Sequence, residues 1–197
     1  MNVVHHYLFW LLWGAWAAYW WLLSARVKGS VRRESLASRL THILPLVVAA
    51  SLLAGPNARW HPLDAQILPR TEATFWAGAV LTVAGLLFAI RARHYIGANW
   101  SASVTIKESH ELVTGGPYAL VRHPIYTGLL LAFAGTAVAI GQWRGVVAVV
   151  IALVAIVHKL RIEERWMLEQ FGDGYRAYQA RVPRLVPFVH RLPRRTT

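Results

Sequence analysis

Five long apolar stretches leave this chain few possible folds. They run from about Tyr7 to Leu23, Thr41 to Ala54, Ala73 to Ile90, Ile125 to Ile140 and Gly145 to His158. In lipid every backbone polar group must be satisfied internally, which leaves helices or closed barrels. Runs of this length read as helices, and a helix crossing a ~30 Å hydrocarbon core uses about 20 residues. The second and fifth stretches are short by that measure, so their ends draw on flanking polar sequence, and Pro45 sits inside the second. The chain is 56% hydrophobic and 15% charged, where soluble domains are roughly half apolar and about a quarter charged. No basic run precedes the first stretch, so it is expected to be a retained span rather than a cleaved signal. With no cysteine, disulfides, thiolate catalysis and cysteine-ligated metals are excluded.

The basic residues set an expected orientation. Arg26, Lys28, Arg32, Arg33 and Arg39 follow the first stretch, Arg91, Arg93, Lys107 and Arg122 follow the third, and the remainder of the cluster runs from Lys159 to Arg195. Only Arg59, Arg70 and Arg144 of the 21 lysines and arginines fall in the alternate loops. The positive-inside rule then predicts an outside N-terminus, about five transmembrane helices and a cytoplasmic C-terminus. This alternation accounts for the net charge of +12 better than nucleic-acid binding, for which no recognition motif is present.

Small residues recur at helical spacing on the last two stretches: Gly128, Ala132, Gly135 and Ala139, then Gly145, Ala148, Ala152 and Ala155. Such stripes let helix backbones approach closely in lipid. Because only Gly141-Gln-Trp-Arg-Gly145 separates the two, they are expected to form a tight antiparallel hairpin. Beyond it, Leu168, Phe171, Tyr175, Tyr178 and Val182 form an amphipathic stripe, expected to break or bend near Gly172-Asp-Gly174. The expected organisation is a three-span framework over residues 1–90 and a second part, carrying the hairpin, over residues 91–197, in one all-α domain.

The hairpin would bring two polar blocks together. The first is His110-Glu-Leu-Val-Thr-Gly-Gly-Pro-Tyr-Ala-Leu-Val-Arg-His-Pro-Ile-Tyr126. Pro124 pushes His123 towards extended backbone and can open a helix. Arg122 and His123 would then stand at a helix N-terminus, which favours an anionic group, while Tyr118 and Tyr126 offer flat faces for an adenine ring or a sulfonium. The second block, Lys159 to Glu164, carries Lys159, Arg161, Glu163 and Glu164 after a short span. Ionisable groups at such depth tend to pair or to line a functional cavity, and the spacing pairs Lys159 with Glu163 and Arg161 with Glu164. A carboxylate here could take an ammonium or sulfonium, and a cation could take a carboxylate. The plainer alternative is interfacial anchoring by Arg122 and the tyrosines, with a salt-bridged helix end. No His-Glu-x-x-His motif, dinucleotide fingerprint or phosphate loop is present.

At these residues the sequence resembles the isoprenylcysteine carboxyl methyltransferase family and, more loosely, the related phospholipid methyltransferases. The matching pieces are His110-Glu-Leu-Val-Thr-x-Gly-Pro-Tyr118, Arg122-His-Pro-x-Tyr-x-Gly128, Glu163-Glu164, and Phe171-Gly-x-x-Tyr175-x-x-Tyr178 leading to Val182-Pro183. They cover roughly residues 95 to 190. The resemblance implies an integral membrane enzyme transferring a methyl group from S-adenosyl-L-methionine to a lipophilic, lipid or prenylated acceptor. It implies cofactor binding by His110, Glu111, Leu112, Val113, Tyr118, His123, Pro124, Ile125, Tyr126 and Glu163, with Thr105 as a further candidate. A basic residue before the glutamates would hold a substrate carboxylate. Counting back lands on Lys159, whereas the family carries an arginine and Arg161 is the nearest one, so both stay in play. A membrane reductase of the sterol-reductase type, using NADPH, is the alternative; there Ile125 and Leu129 replace the Asn and Asp that group usually resembles. A non-catalytic protein on the same scaffold is the third expectation.

Overall fold

Helices account for nearly all of the computed structural model, which describes residues 3–24, 30–33, 35–54, 61–97, 105–107 and 112–188. In chain order they are α1 (Val3–Ser24), α2 (Leu36–Leu53), α3 (Glu72–Ile96), the short α4 (Pro117–Leu120), α5 (Pro124–Ile140) and α6 (Trp143–Arg181). The five long helices coincide with the five apolar stretches and alternate in direction. Three of them, α2, α3 and α6, are long and apolar enough to cross a membrane, and α5 is a shorter apolar helix. The chain is an integral membrane protein. One feature lies outside the all-α expectation: β1 (Ser30–Arg33) pairs antiparallel with β2 (Thr105–Lys107). That ribbon ties the segment after α1 to the segment after α3, and Thr105 stands on it opposite Arg33.

Backbone-to-backbone contact in the bundle is made by α3 and α5. On α3, Gly78, Thr82, Gly85 and Ala89 present the same small-residue spacing as Gly128, Ala132, Gly135 and Ala139 on α5. A Cβ built on Gly85 would lie 2.5 Å from the Gly128 carbonyl oxygen, and one on Gly78 would lie 2.5 Å from the Gly135 carbonyl oxygen. The expected partner for the α5 stripe was α6. Instead, Ala148 and Ala152 of α6 pack with Ala49 and Leu52 of α2 and with Phe133. A five-residue link forces α5 and α6 to be neighbours, and Gly145 does approach Ala137. It does not force their small faces together, and the α5 glycines find glycines on α3.

Hydrogen bonds reinforce this seam where no water competes. Thr82 Oγ1 of α3 lies 3.2 Å from Thr136 Oγ1 of α5 and donates to the Ala132 carbonyl at 3.3 Å, and Trp13 Nε1 of α1 donates to Thr136 Oγ1 at 3.2 Å. At the end away from the polar blocks, Arg144 donates from Nη1 to the Leu52 carbonyl at 3.1 Å and from Nε to Gln142 Oε1 at 2.7 Å. It thereby closes α2 against the start of α6.

The helix of the fifth apolar stretch runs on through the polar block into the start of the amphipathic stripe, and a kink at Gly172 separates it from the helical segment that ends at Arg181. α6 runs unbroken from Trp143 to Phe171, about 44 Å at 1.5 Å per residue, well beyond the hydrocarbon core. Lys, Arg and Glu are good helix formers and carry the helix through the polar block. The expected break comes at Gly172, with φ 51° and ψ −122°, a conformation that glycine adopts at no steric cost. From that bend Tyr175 and Tyr178 turn inwards and are buried.

Candidate functional site

The first block is shaped by a turn built around glycine. Gly116 caps α4 at φ 57°, and a Cβ there would sit 2.5 Å from the Tyr95 ring. The turn therefore lies flat on Tyr95 of α3 and delivers Tyr118 into the interior. Tyr118 Oη reaches the Ala92 carbonyl, and Tyr178 Oη donates to the Tyr118 carbonyl at 2.6 Å. Burial pushes the Tyr118 phenol above its ordinary value, which keeps it a neutral donor. Val121 then runs extended, His123 caps α5, and Pro124 fills the first helical position, where its missing N–H costs nothing.

The second block meets it across α5 and α6. Tyr126 Oη donates to Glu163 Oε1 at 2.9 Å, His123 Nδ1 lies 3.6 Å from Glu163 Oε2, and Lys159 Nζ lies 3.8 Å from Glu163 Oε1. Lys159 also sits 5.3 Å from the centre of the Tyr126 ring, a cation–π distance. Glu163 keeps 20% of its side chain exposed, so this carboxylate is reachable. Lys159 is buried, with an apolar stem in the helix and its ammonium in the cluster.

Glu164 has a different setting. Arg122 donates to its Oε1 from Nε at 3.0 Å and from Nη2 at 2.8 Å, His123 Nε2 lies 3.2 Å from the same oxygen, and Arg184 Nη2 bonds to Oε2. Arg122 also donates from Nη1 to the carbonyls of Gln179 and Val182. Its backbone N–H bonds to the Pro183 carbonyl at 2.8 Å, and that of His123 to the Arg184 carbonyl at 3.2 Å. Arg122 therefore supports the site's frame and is already engaged, rather than standing ready for an anion at the helix start.

The structure separates the expected site residues. It gathers His123, Tyr126, Lys159 and Glu163 into one cluster. Ile125 packs with Ala92 and Tyr118, Val113 leans on the same group, Pro124 is buried and Leu112 is half-buried. His110 and Glu111 lie outside the described residues. The expected Arg161–Glu164 pair is replaced: Arg161 is exposed, while Glu164 turns inwards to Arg122, His123 and Arg184. The reason is geometric, since Lys159 and Glu163 share an inward face of α6 that Arg161 does not. Sequence reading missed Arg184 altogether. Its one signal was its place directly after Val182-Pro183, and nothing in the sequence marked its partner.

Comparison with known proteins places this geometry in a family. The model of the phospholipid methyltransferase family matches residues 73–174. Protein-S-isoprenylcysteine O-methyltransferase B of Arabidopsis thaliana is 37% identical over 87 residues, 43% of this chain, and the chain spans 43% of that relative's length. Methanethiol S-methyltransferase of Pseudomonas deceptionensis is 38% identical over 80 residues, covering 39% of this chain and 28% of that protein. Among solved structures, the eukaryotic intramembrane Ras methyltransferase ICMT (isoprenylcysteine carboxyl methyltransferase) shares the fold with a TM-score of 0.50. Its 24% identity covers 81% of this chain and 55% of that one. These relatives are methyltransferases by name and lend nothing to the reductase alternative. With both polar blocks falling inside the matched region, which takes in just over half of the chain, the chain belongs to the phospholipid methyltransferase family.

Proposed function

We propose that the chain is a membrane methyltransferase that takes its methyl group from S-adenosyl-L-methionine and passes it to a lipophilic acceptor. The observation that carries this reading is the meeting of His123 and Tyr126 with Lys159 and Glu163. The donor set fits the group. Glu163 is a partly exposed carboxylate ringed by a phenol, an imidazole and an ammonium, a setting for an ammonium or sulfonium. Tyr126 orients it through a 2.9 Å bond. His110, Glu111, Leu112, Val113, Tyr118, Pro124 and Ile125 would complete the cradle, with Pro124, Ile125 and Tyr118 setting its shape from buried positions. Bound there, S-adenosyl-L-methionine supplies a sulfonium methyl that is already activated.

The protein's own task is then positioning and exclusion of water. Lys159 is the cation best placed to hold an acceptor carboxylate, because it is inside the cluster while Arg161 is not. A carboxylate is ionised at neutral pH and needs no base, whereas an amine would have to lose a proton. An anionic, lipid-like acceptor such as a prenylated carboxylate fits best, entering laterally from the bilayer. A thiol acceptor, as in the name of the Pseudomonas relative, is the competing class. The basic residues near this end of the bundle support a cytoplasmic site. The catalytic part would occupy residues 91–197 and the three-span framework residues 1–90. The test is methyl transfer from labelled S-adenosyl-L-methionine to lipid-like carboxylates, thiols, phenols and amines in nanodiscs. Transfer to carboxylates first supports the reading; transfer to none of the four, with no cofactor binding, removes it.

A further inference from the structure

Three side chains converge on the Glu164 carboxylate. Arg122 supplies two donors, both to Oε1, and leaves Oε2 to another partner. His123 and Arg184 are added, and each leads somewhere different. His123 spans the two glutamates, Nε2 to Glu164 at 3.2 Å and Nδ1 to Glu163 at 3.6 Å. The ring orientation that presents one nitrogen to Glu163 is thus fixed by what Glu164 does to the other. Arg184 belongs to the strap of residues 182–185 that follows α6. That strap lies along the start of α5 through the Pro183 and Arg184 carbonyls, and through a 2.7 Å bond from Thr127 Oγ1 to the Leu185 carbonyl. Backbone bonds hold the strap's register, and Arg184 is the strap side chain whose charge enters the node.

We propose that Glu164 and Arg184 are positioning residues: together they lock the 182–185 strap against the start of α5 and, through His123, set the Glu163 carboxylate for its ligand. Neither needs to touch the ligand. Removing a charged partner from such a node frees the strap side and leaves His123 with a weaker anchor. The inference rests on the function proposed above only for the identity of the ligand.

The test uses the full chain in nanodiscs. Arg184→Met retains the stem and removes the charge, Arg184→Lys restores a cation, and Glu164→Gln removes the acceptor charge. S-adenosylhomocysteine affinity is measured by calorimetry, and a single cysteine at Leu185 reports strap seating through its labelling rate. Expected are a loss of affinity of about tenfold in Arg184→Met, the worth of one charge-assisted bond, faster labelling at Leu185, and partial recovery of both in Arg184→Lys. Turnover at saturating cofactor should change far less than affinity. Wild-type affinity together with wild-type labelling in Arg184→Met overturns the inference, even if Glu164→Gln fails to fold. If the wild type binds no S-adenosylhomocysteine, the proposed function fails, and the labelling rates alone still decide whether Arg184 seats the strap.

Discussion

Two adjacent glutamates, Glu163 and Glu164, have opposite settings. Glu163 is reachable and lightly held; Glu164 is buried and fully engaged. The difference follows from the helix, which turns successive residues about 100° apart, so one faces the cluster's opening and the other its frame. Lys159→Ala should therefore lower turnover by more than tenfold while changing cofactor affinity little. Arg161→Ala should leave both near wild type, because its side chain is exposed. Steady-state kinetics beside a binding titration checks the pair, and equal damage in the two variants contradicts the placement. Tyr126→Phe deletes the hydroxyl on Glu163 Oε1 and should weaken cofactor binding several-fold, on the order of 1 kcal/mol for one hydrogen bond. At this scale the convergence of the two blocks was legible, because a short covalent link between α5 and α6 compels it. Arg184 was not, since a cation 20 residues after its acid leaves no periodic trace.

Among the elements, α3 and α5 form the least tolerant contact. Gly85→Leu would drive a side chain into the Gly128 carbonyl, with an overpacking cost of about 1–3 kcal/mol or more. Its melting temperature in detergent should fall clearly, while the same change at exposed Gly14, whose Cβ would meet nothing within 4 Å, should not move it. Gly172→Ala is a subtler test. No atom crowds the position, yet its φ of 51° disfavours a Cβ, a strain of order 1–3 kcal/mol. Relief by straightening α6 would pull Tyr175, Tyr178 and the strap off the site, so affinity should drop more than stability. The existence of the apolar helices could be read from hydropathy alone. Which small-residue stripe met which could not, because in lipid both faces are equally apolar and only shape chooses between them.

Taken as a whole, the molecule is a bundle with the proposed site at one end. Arg144, Asp64 and Arg70 lie at the other end, beside the α5–α6 turn. The absence of cysteine makes sidedness easy to measure. A single cysteine at Asp64 should react with an impermeant maleimide from outside intact cells, and one at Asp173, which is highly exposed, only after permeabilisation. The reverse pattern would invert the proposed orientation. The alternation of ends was legible from the basic residues, whereas the β1–β2 ribbon was not, because strands of four and three residues carry too little pattern to stand out. One cofactor site assembled from two distant blocks is tested most directly by a calorimetric titration of S-adenosyl-L-methionine into wild-type and Glu163→Gln protein in nanodiscs. A single saturable site in the wild type, weakened at least about tenfold by a substitution that leaves the fold intact, is the predicted result; equal affinity in the two proteins, or no binding to either, would contradict it.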